Sequence, residues 1–156
     1  MSDDTLHYRI IQDTVVEVVS ALNTAAIDYV ICGGIAVAMH GHPRATQDVD
    51  ILVQSDQEIE RLNNLLQPAG WLRNPEEIPL KSSHIVRFIK PIGDRMAILD
   101  AIVGGEDIDG IIKRGIKDTY NQLECRLIAL EDLFAMKRQS GRLQDLADIE
   151  NLGGTV

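Results

Sequence analysis

The stretch VICGGIAVAMHGHPRATQDVDILV, residues 30–53, holds an apolar run, a glycine pair, a short helical segment and a second apolar run that ends awkwardly. Asp48 and Asp50 flank Val49 on a segment that otherwise reads as buried strand. Successive side chains of a strand point to opposite faces, so Val49, Ile51 and Val53 share one face while Asp48, Asp50 and Leu52 share the other. The apolar set can face a core. The two carboxylates are then neighbours about 7 Å apart at Cα, and burying them without compensation is unfavourable because like charges repel and lose their hydration. A divalent cation resolves that conflict. Magnesium or manganese suits it, being a hard ion that takes carboxylate oxygens and completes its shell with water and phosphate. The plainer alternative is a pair of strand-end carboxylates, one of them neutralised by Arg44.

Two further features bear on the choice. Gly33 and Gly34 follow the strand run Tyr29–Cys32 and open a short helix, a place where bare backbone N–H groups can approach a phosphate. The segment is neither GxGxxG nor a Walker A loop, so by itself it reads as a structural turn. Downstream, AILDAIV (97–103) puts Asp100 inside an apolar strand run with Ile98 and Ile102 on its own face. If that strand lies beside the Asp48 strand, three carboxylates cluster, as two cations about 3.5–4 Å apart would require for in-line phosphoryl displacement. Otherwise Asp100 is an ion-paired structural residue.

The remaining chain supports a mixed α/β unit. Ile10, Ile11, Val15, Val18, Val19 and Leu22 recur at helical spacing within a helix predicted from about Leu6 to Ala26. Ser55 and Glu58 form a capping-box pattern ahead of a helix over Asp56–Leu66. Asn74 to Pro79 reads as loop, and SHIVRFIK and RMAILDAIV flank the turn PIGD as a hairpin. A short helix over Glu106–Arg114, a strand at CRLIAL, and two helices from Glu131 to Leu152 broken at Ser140-Gly141 complete the reading. The expected fold class is α/β (α+β): a small mixed sheet of four to five strands flanked by helices, with a C-terminal helical pair. We expect a single domain over 1–156, in which 130–153 is a C-terminal helical extension.

Bulk properties narrow the function classes. The chain has 156 residues and a formal net charge of -9, from 24 acidic and 15 basic side chains, which disfavours a broad electrostatic grip on nucleic acid. No long apolar span or charged leader is evident, so a cytoplasmic location without membrane contact is expected. Cys32 and Cys125 lack metal-site or disulfide-framework spacing and read as small buried hydrophobes. Trp71 suits either core or interface.

The combination of a glycine pair, a short helix, HGHPRATQDVDILV and a later carboxylate in an apolar strand resembles the DNA polymerase β-like nucleotidyltransferase superfamily. Its R-A-T-x-D-x-D form is similar to the small bacterial AbiEii-type and minimal nucleotidyltransferases, as is LEDLFAMKRQSGRLQDLADIENL, with Asp132, Lys137, Arg142, Asp145 and Asp148 at matching positions. The resemblance implies a nucleotidyltransferase fold, Asp48, Asp50 and Asp100 as catalytic metal ligands for Mg2+ or Mn2+, and Gly33 and Gly34 at the triphosphate. Arg44 and Lys137 are candidate nucleotide-binding residues, although Arg44 could instead orient Asp48, and Lys137 could snorkel from an apolar helix face. Arg142 and Asp145 suit a helix-surface pair, and His40 and His42 suit helix-end and loop positions.

The implied activity moves a nucleoside monophosphate from a nucleoside triphosphate, such as ATP, to an acceptor hydroxyl on tRNA, a partner protein or a small molecule. A toxin–antitoxin or phage-defence setting, with a cognate toxin or antitoxin as partner, goes with the AbiEii likeness. One alternative is an antibiotic nucleotidyltransferase. Another is a catalytically silent nucleotidyltransferase-fold protein-interaction module, which three retained carboxylates argue against.

Overall fold

The computed structural model describes residues 2–156. Its elements in chain order are α1 (Asp3–Thr24), β1 (Tyr29–Cys32), α2 (Gly33–Met39), β2 (Val49–Val53), α3 (Asp56–Leu66), β3 (Leu72–Arg73), β4 (Ile78–Pro79), β5 (Ser83–Ile92), β6 (Arg95–Gly104), α4 (Ile108–Lys113), β7 (Ile116–Tyr120), β8 (Leu123–Leu127), α5 (Leu130–Ser140) and α6 (Leu143–Asn151). The strands form one mixed sheet in the order β3-β5-β6-β2-β1-β8-β7, with β4 also paired to β5.

The core follows from the alternation read in the sequence. Val49, Ile51 and Val53 of β2 and Ala97, Leu99, Ala101 and Val103 of β6 are buried in the same cluster as Val15, Val18, Val19 and Leu22 of α1 and Ile59, Leu62 and Leu66 of α3. The long helix α1 starts earlier than its apolar stripe because Ser2 caps it, its side chain accepting a hydrogen bond from the Thr5 N–H at 3.2 Å. Trp71 belongs to this core, and its indole N–H donates to Glu17 at 2.6 Å.

The hairpin β5–β6 closes on Gly93 and Asp94, with Ile92 opposite Arg95. Gly93 adopts φ +61°, which a two-residue hairpin turn of this hand requires and glycine supplies without strain. This turn fixes every cross-strand partner back to Ser83 and Gly104.

Several expectations need correction. Among the described residues the sheet has eight strands where four to five were predicted. The extra strands are short or exposed: β3 and β4 contribute two residues each, and β7 has no fully buried residue. Such pieces carry little hydrophobic alternation, and Pro79 made the 74–79 segment look like loop although it pairs with His84 at the sheet edge. The CRLIAL strand is shifted to Leu123–Leu127. Ser55 occupies the N-cap of α3 but its side chain makes no capping bond, so the capping box does not form. Asp48 immediately precedes β2 instead of beginning it.

Candidate active site

The order β5-β6-β2-β1 decides which side chains meet. Cys32 pairs with Asp50, Asp50 with Asp100 and Asp100 with Arg87, so one row across four strands carries a thiol, two carboxylates and a guanidinium. The β2–β6 pairing is parallel, which brings the two aspartates level. Asp48, two residues before Asp50, joins them: Asp48, Asp50 and Asp100 each offer a carboxylate oxygen, and these oxygens all lie within 4.8 Å of one another. Asp100 is buried, while Asp48 and Asp50 are partly exposed.

The electrostatics are those of an under-compensated anionic cluster. Burial, then the charges of Asp48 and Asp100, push the Asp50 carboxyl well above the ordinary carboxylate range. Asp48 is raised as well, by burial and by Asp100. The neighbouring Cys32 thiol is pushed up by burial and by Asp50, so it stays protonated and inert as a nucleophile. Three hard oxygen donors converging with excess negative charge fit a magnesium or manganese ion, and the donor set holds no sulfur or nitrogen that would favour a softer metal.

The glycine pair is required by close approach. Gly33 adopts φ +64°, and a Cβ there would overlap the Asp50 carboxylate, whose Cγ is 2.7 Å from that position. A Cβ on Gly34 would sit 2.6 Å from Thr46 Oγ1 and 3.2 Å from an Arg44 nitrogen. Gly33 thus lets α2 begin directly against the carboxylates, and Gly34 lets the 42–48 loop fold onto that helix. The loop is further pinned by His7, whose Nε2 is 2.8 Å from the Thr46 carbonyl oxygen, and by the Thr46 hydroxyl, which donates to the Asp48 carbonyl at 3.2 Å.

Arg44 and Lys137 meet at one anion. Arg44 donates through Nε and Nη2 to the two oxygens of Asp148, each at 2.8 Å, and Lys137 Nζ donates to Asp148 at 2.8 Å and to Asp145 at 3.4 Å. Lys137 is 6% exposed and Asp148 wholly buried, so the lysine does not snorkel to solvent. Burial pushes the Asp148 carboxyl up, but hydrogen bonds from Arg44, Lys137 and Gln144 outweigh it and hold the value at about 2. Asp145 is buried and accepts from Arg142, which caps α6, so that pair anchors a helix end and is not a surface ornament. Its carboxyl is raised by burial and lowered by more through its hydrogen bonds with Arg142 and Ser140. His40 closes α2 with Nε2 2.7 Å from the Ile128 carbonyl oxygen, and His42 lies in the loop.

The carboxylates open into a cleft of about 630 Å³ whose lining includes Gly33, Asp48, Asp50, Arg87, Asp100 and Lys137, whereas Arg44 and Asp148 lie outside that lining. Leu52, Ile85, Ile102 and Met136 supply apolar wall. A separate cleft of about 790 Å³ lies near Asn23, Tyr29 and Arg126, away from the carboxylates. A second group of converging donors, Asp56, Glu77 and His84, has both carboxylates exposed and forms an ion pair when the imidazole is charged.

Arg87 is the site residue that the sequence reading missed. Its signal was available, since a two-residue turn at Gly93-Asp94 makes Arg87 the partner of Asp100.

A family model for aminoglycoside-2''-adenylyltransferase matches residues 14–90, which takes in the glycine pair, Asp48 and Asp50 but stops short of Asp100. No curated protein matches the chain significantly. Among solved structures, a candidate nucleotidyltransferase from Thermotoga maritima superposes with a TM-score of 0.61 at 10% identity, over 89% of this chain and 89% of that one. ANT(2'')-Ia in complex with adenylyl-2''-tobramycin gives 0.56 at 14% identity, over 91% of this chain and 89% of that one. A candidate nucleotidyltransferase from H. pylori gives 0.56 at 17% identity, over 97% of this chain and 69% of that one. The fold is therefore the nucleotidyltransferase fold, as the resemblance implied.

Proposed function

We propose that this chain is a metal-dependent nucleotidyltransferase, an enzyme that transfers a nucleoside monophosphate from a nucleoside triphosphate to an acceptor hydroxyl and releases pyrophosphate. The observation that carries the reading is the convergence of Asp48, Asp50 and Asp100 in a cleft, directly against the left-handed Gly33. A silent interaction module gains nothing from three mutually repelling carboxylates, one of them buried and two partly so, which destabilise the fold that holds them.

In this reading Asp48 and Asp50 would hold the divalent ions, with Asp100 as the third ligand. Bound there, the ions would neutralise the triphosphate and polarise the phosphorus that is attacked. Gly33, on the cleft wall, would present its backbone to the phosphates while Gly34 keeps the 42–48 loop against α2, and Asp100, lying deepest, would orient the acceptor side. Arg44 and Lys137 would serve nucleotide binding indirectly, since both are already bonded to Asp148. They position the α5–α6 pair as the cleft wall that faces the nucleotide.

ATP as donor and a small hydroxyl-bearing acceptor are favoured by the family match over 14–90 and by the likeness to ANT(2'')-Ia, and a cleft of about 630 Å³ is of drug-sized scale. Glu106, on the cleft wall and outside the metal cluster, would give an aminoglycoside-like amine a carboxylate to pair with. Transfer to tRNA or to a cognate toxin has only the AbiEii likeness of the sequence behind it. The test is incubation with each α-labelled nucleoside triphosphate, Mg2+ or Mn2+, and separate panels of aminoglycosides, RNA and cell proteins. Label transferred by the native protein and lost in the Asp48→Ala, Asp50→Ala double variant supports the proposal; equal label in both overturns it.

A further inference from the structure

Asp100 does not face the cleft unaccompanied. Arg87 donates from Nε to one of its oxygens and from Nη2 to the other, both at 2.8 Å. This is a bidentate fork, the strongest geometry available to a guanidinium and a carboxylate. Among the described residues, Arg87 is the one cationic side chain within 4.0 Å of any of the three carboxylates.

We infer that Arg87 is the internal counter-ion of the metal platform: it holds Asp100 when no cation is bound and competes with divalent cations for that carboxylate. The inference rests on the reading of Asp48, Asp50 and Asp100 as cation ligands. Its first support is occupancy. The fork uses a lone pair on each Asp100 oxygen, so a cation that draws on this carboxylate must share its charge with the guanidinium and approach against a positive charge.

The second support is mobility. The Asp100 side chain is 6% exposed and fixed on a central strand, whereas Arg87 is 32% exposed on a long flexible stem and lines the cleft. When one partner must yield, it is the guanidinium that has somewhere to go. Charge is the third. Three carboxylates and one guanidinium leave a formal excess of two negative charges, the charge of a single divalent ion. That excess matches one divalent cation, which would draw on Asp100 at the expense of its bond to Arg87.

The experiment is a titration of the full chain with Mn2+ in the absence of nucleotide, read by the loss of the free-ion electron paramagnetic resonance signal. Arg87→Met keeps the stem and removes the charge; Arg87→Lys keeps the charge. Removing the competing cation is expected to tighten Mn2+ binding about tenfold in Arg87→Met, with Arg87→Lys close to the native protein. Equal or weaker binding by Arg87→Met overturns the inference while leaving the metal reading intact. No saturable binding by native or variant protein overturns both. Should Arg87→Met fail to fold, the Arg87 Nε–H nuclear magnetic resonance signal of the native protein decides: a shift on saturation with Mg2+ supports release, and an unmoved signal refutes it.

Discussion

Asp50 and Asp100 stand opposite each other on adjacent parallel strands, so that two like charges occupy a position where a sheet normally places apolar partners. The arrangement stores unfavourable electrostatic energy in the metal-free fold. Asp50→Asn is therefore expected to raise the melting temperature measured in chelator, equivalent to about 1 kcal/mol. The same variant should lose transferase activity. Calorimetry paired with the label-transfer assay checks both halves, and a destabilised variant would contradict the first.

The pH dependence of stability follows from two shifts of opposite sign. Asp50 keeps its proton to higher pH when folded than when unfolded, so its contribution is complete below the ordinary carboxylate range near about 4 and is lost as the pH rises through its raised folded value. Asp148 behaves the other way, contributing above the ordinary range and losing that contribution as the pH falls through about 2. Denaturant melts in chelator should show stability rising as the pH is lowered from neutral toward about 4, then falling below it. Saturating Mg2+ should abolish the rise.

Cation binding to the folded chain alone is expected to stabilise it by mass action. An ion at a hundred times its dissociation constant adds about 2.7 kcal/mol. Thermal melts with Mg2+ or Mn2+ should shift upward in the native protein, return on chelation, and stay flat in the Asp48→Ala, Asp50→Ala double variant.

Gly33→Ala tests the close approach. It forces a side chain into a left-handed conformation and against the Asp50 carboxylate, and the two together should cost about 2 to 4 kcal/mol in urea melts. Gly93→Ala, at a similar φ but with open space around it, isolates the backbone share and should cost only about 1 kcal/mol.

Asp148→Ala strips the shared anion from both Arg44 and Lys137. Because Lys137 is buried, the loss should be about 3 to 5 kcal/mol. Lys137→Met leaves Asp148 with Arg44 and Asp145 with Arg142, and should be milder than Asp148→Ala in the same denaturant series.

The parts of this fold that were legible in the sequence are those with strong local signals. β1, α3 and the C-terminal helix pair follow from periodicity and from Gly141, whose φ of +67° ends α5. Asp100 was conspicuous because a carboxylate inside AILDAIV contradicts its surroundings. Arg87 sits in SHIVRFIK, where a polar residue in a strand looks like an outward one, and only the hairpin register shows its partner. The tie between Arg44 and Asp148 spans 104 positions and has no local trace. β3, β4 and β7 escaped because strands of two residues, or strands exposed along their length, are stabilised by pairing and not by their own composition.

The pairing of β2 with β6 also governs when the site comes into being. The two strands are separated along the chain by α3, β3, β4 and β5, so their pairing requires the closure of a long loop. That joining step brings Asp50 against Asp100. The chain must therefore climb its own repulsion on the way to the native state, and a cation present during refolding lowers the climb. Refolding in Mg2+ should be faster than in chelator, which would make the ion a folding partner of the protein before it is anything else.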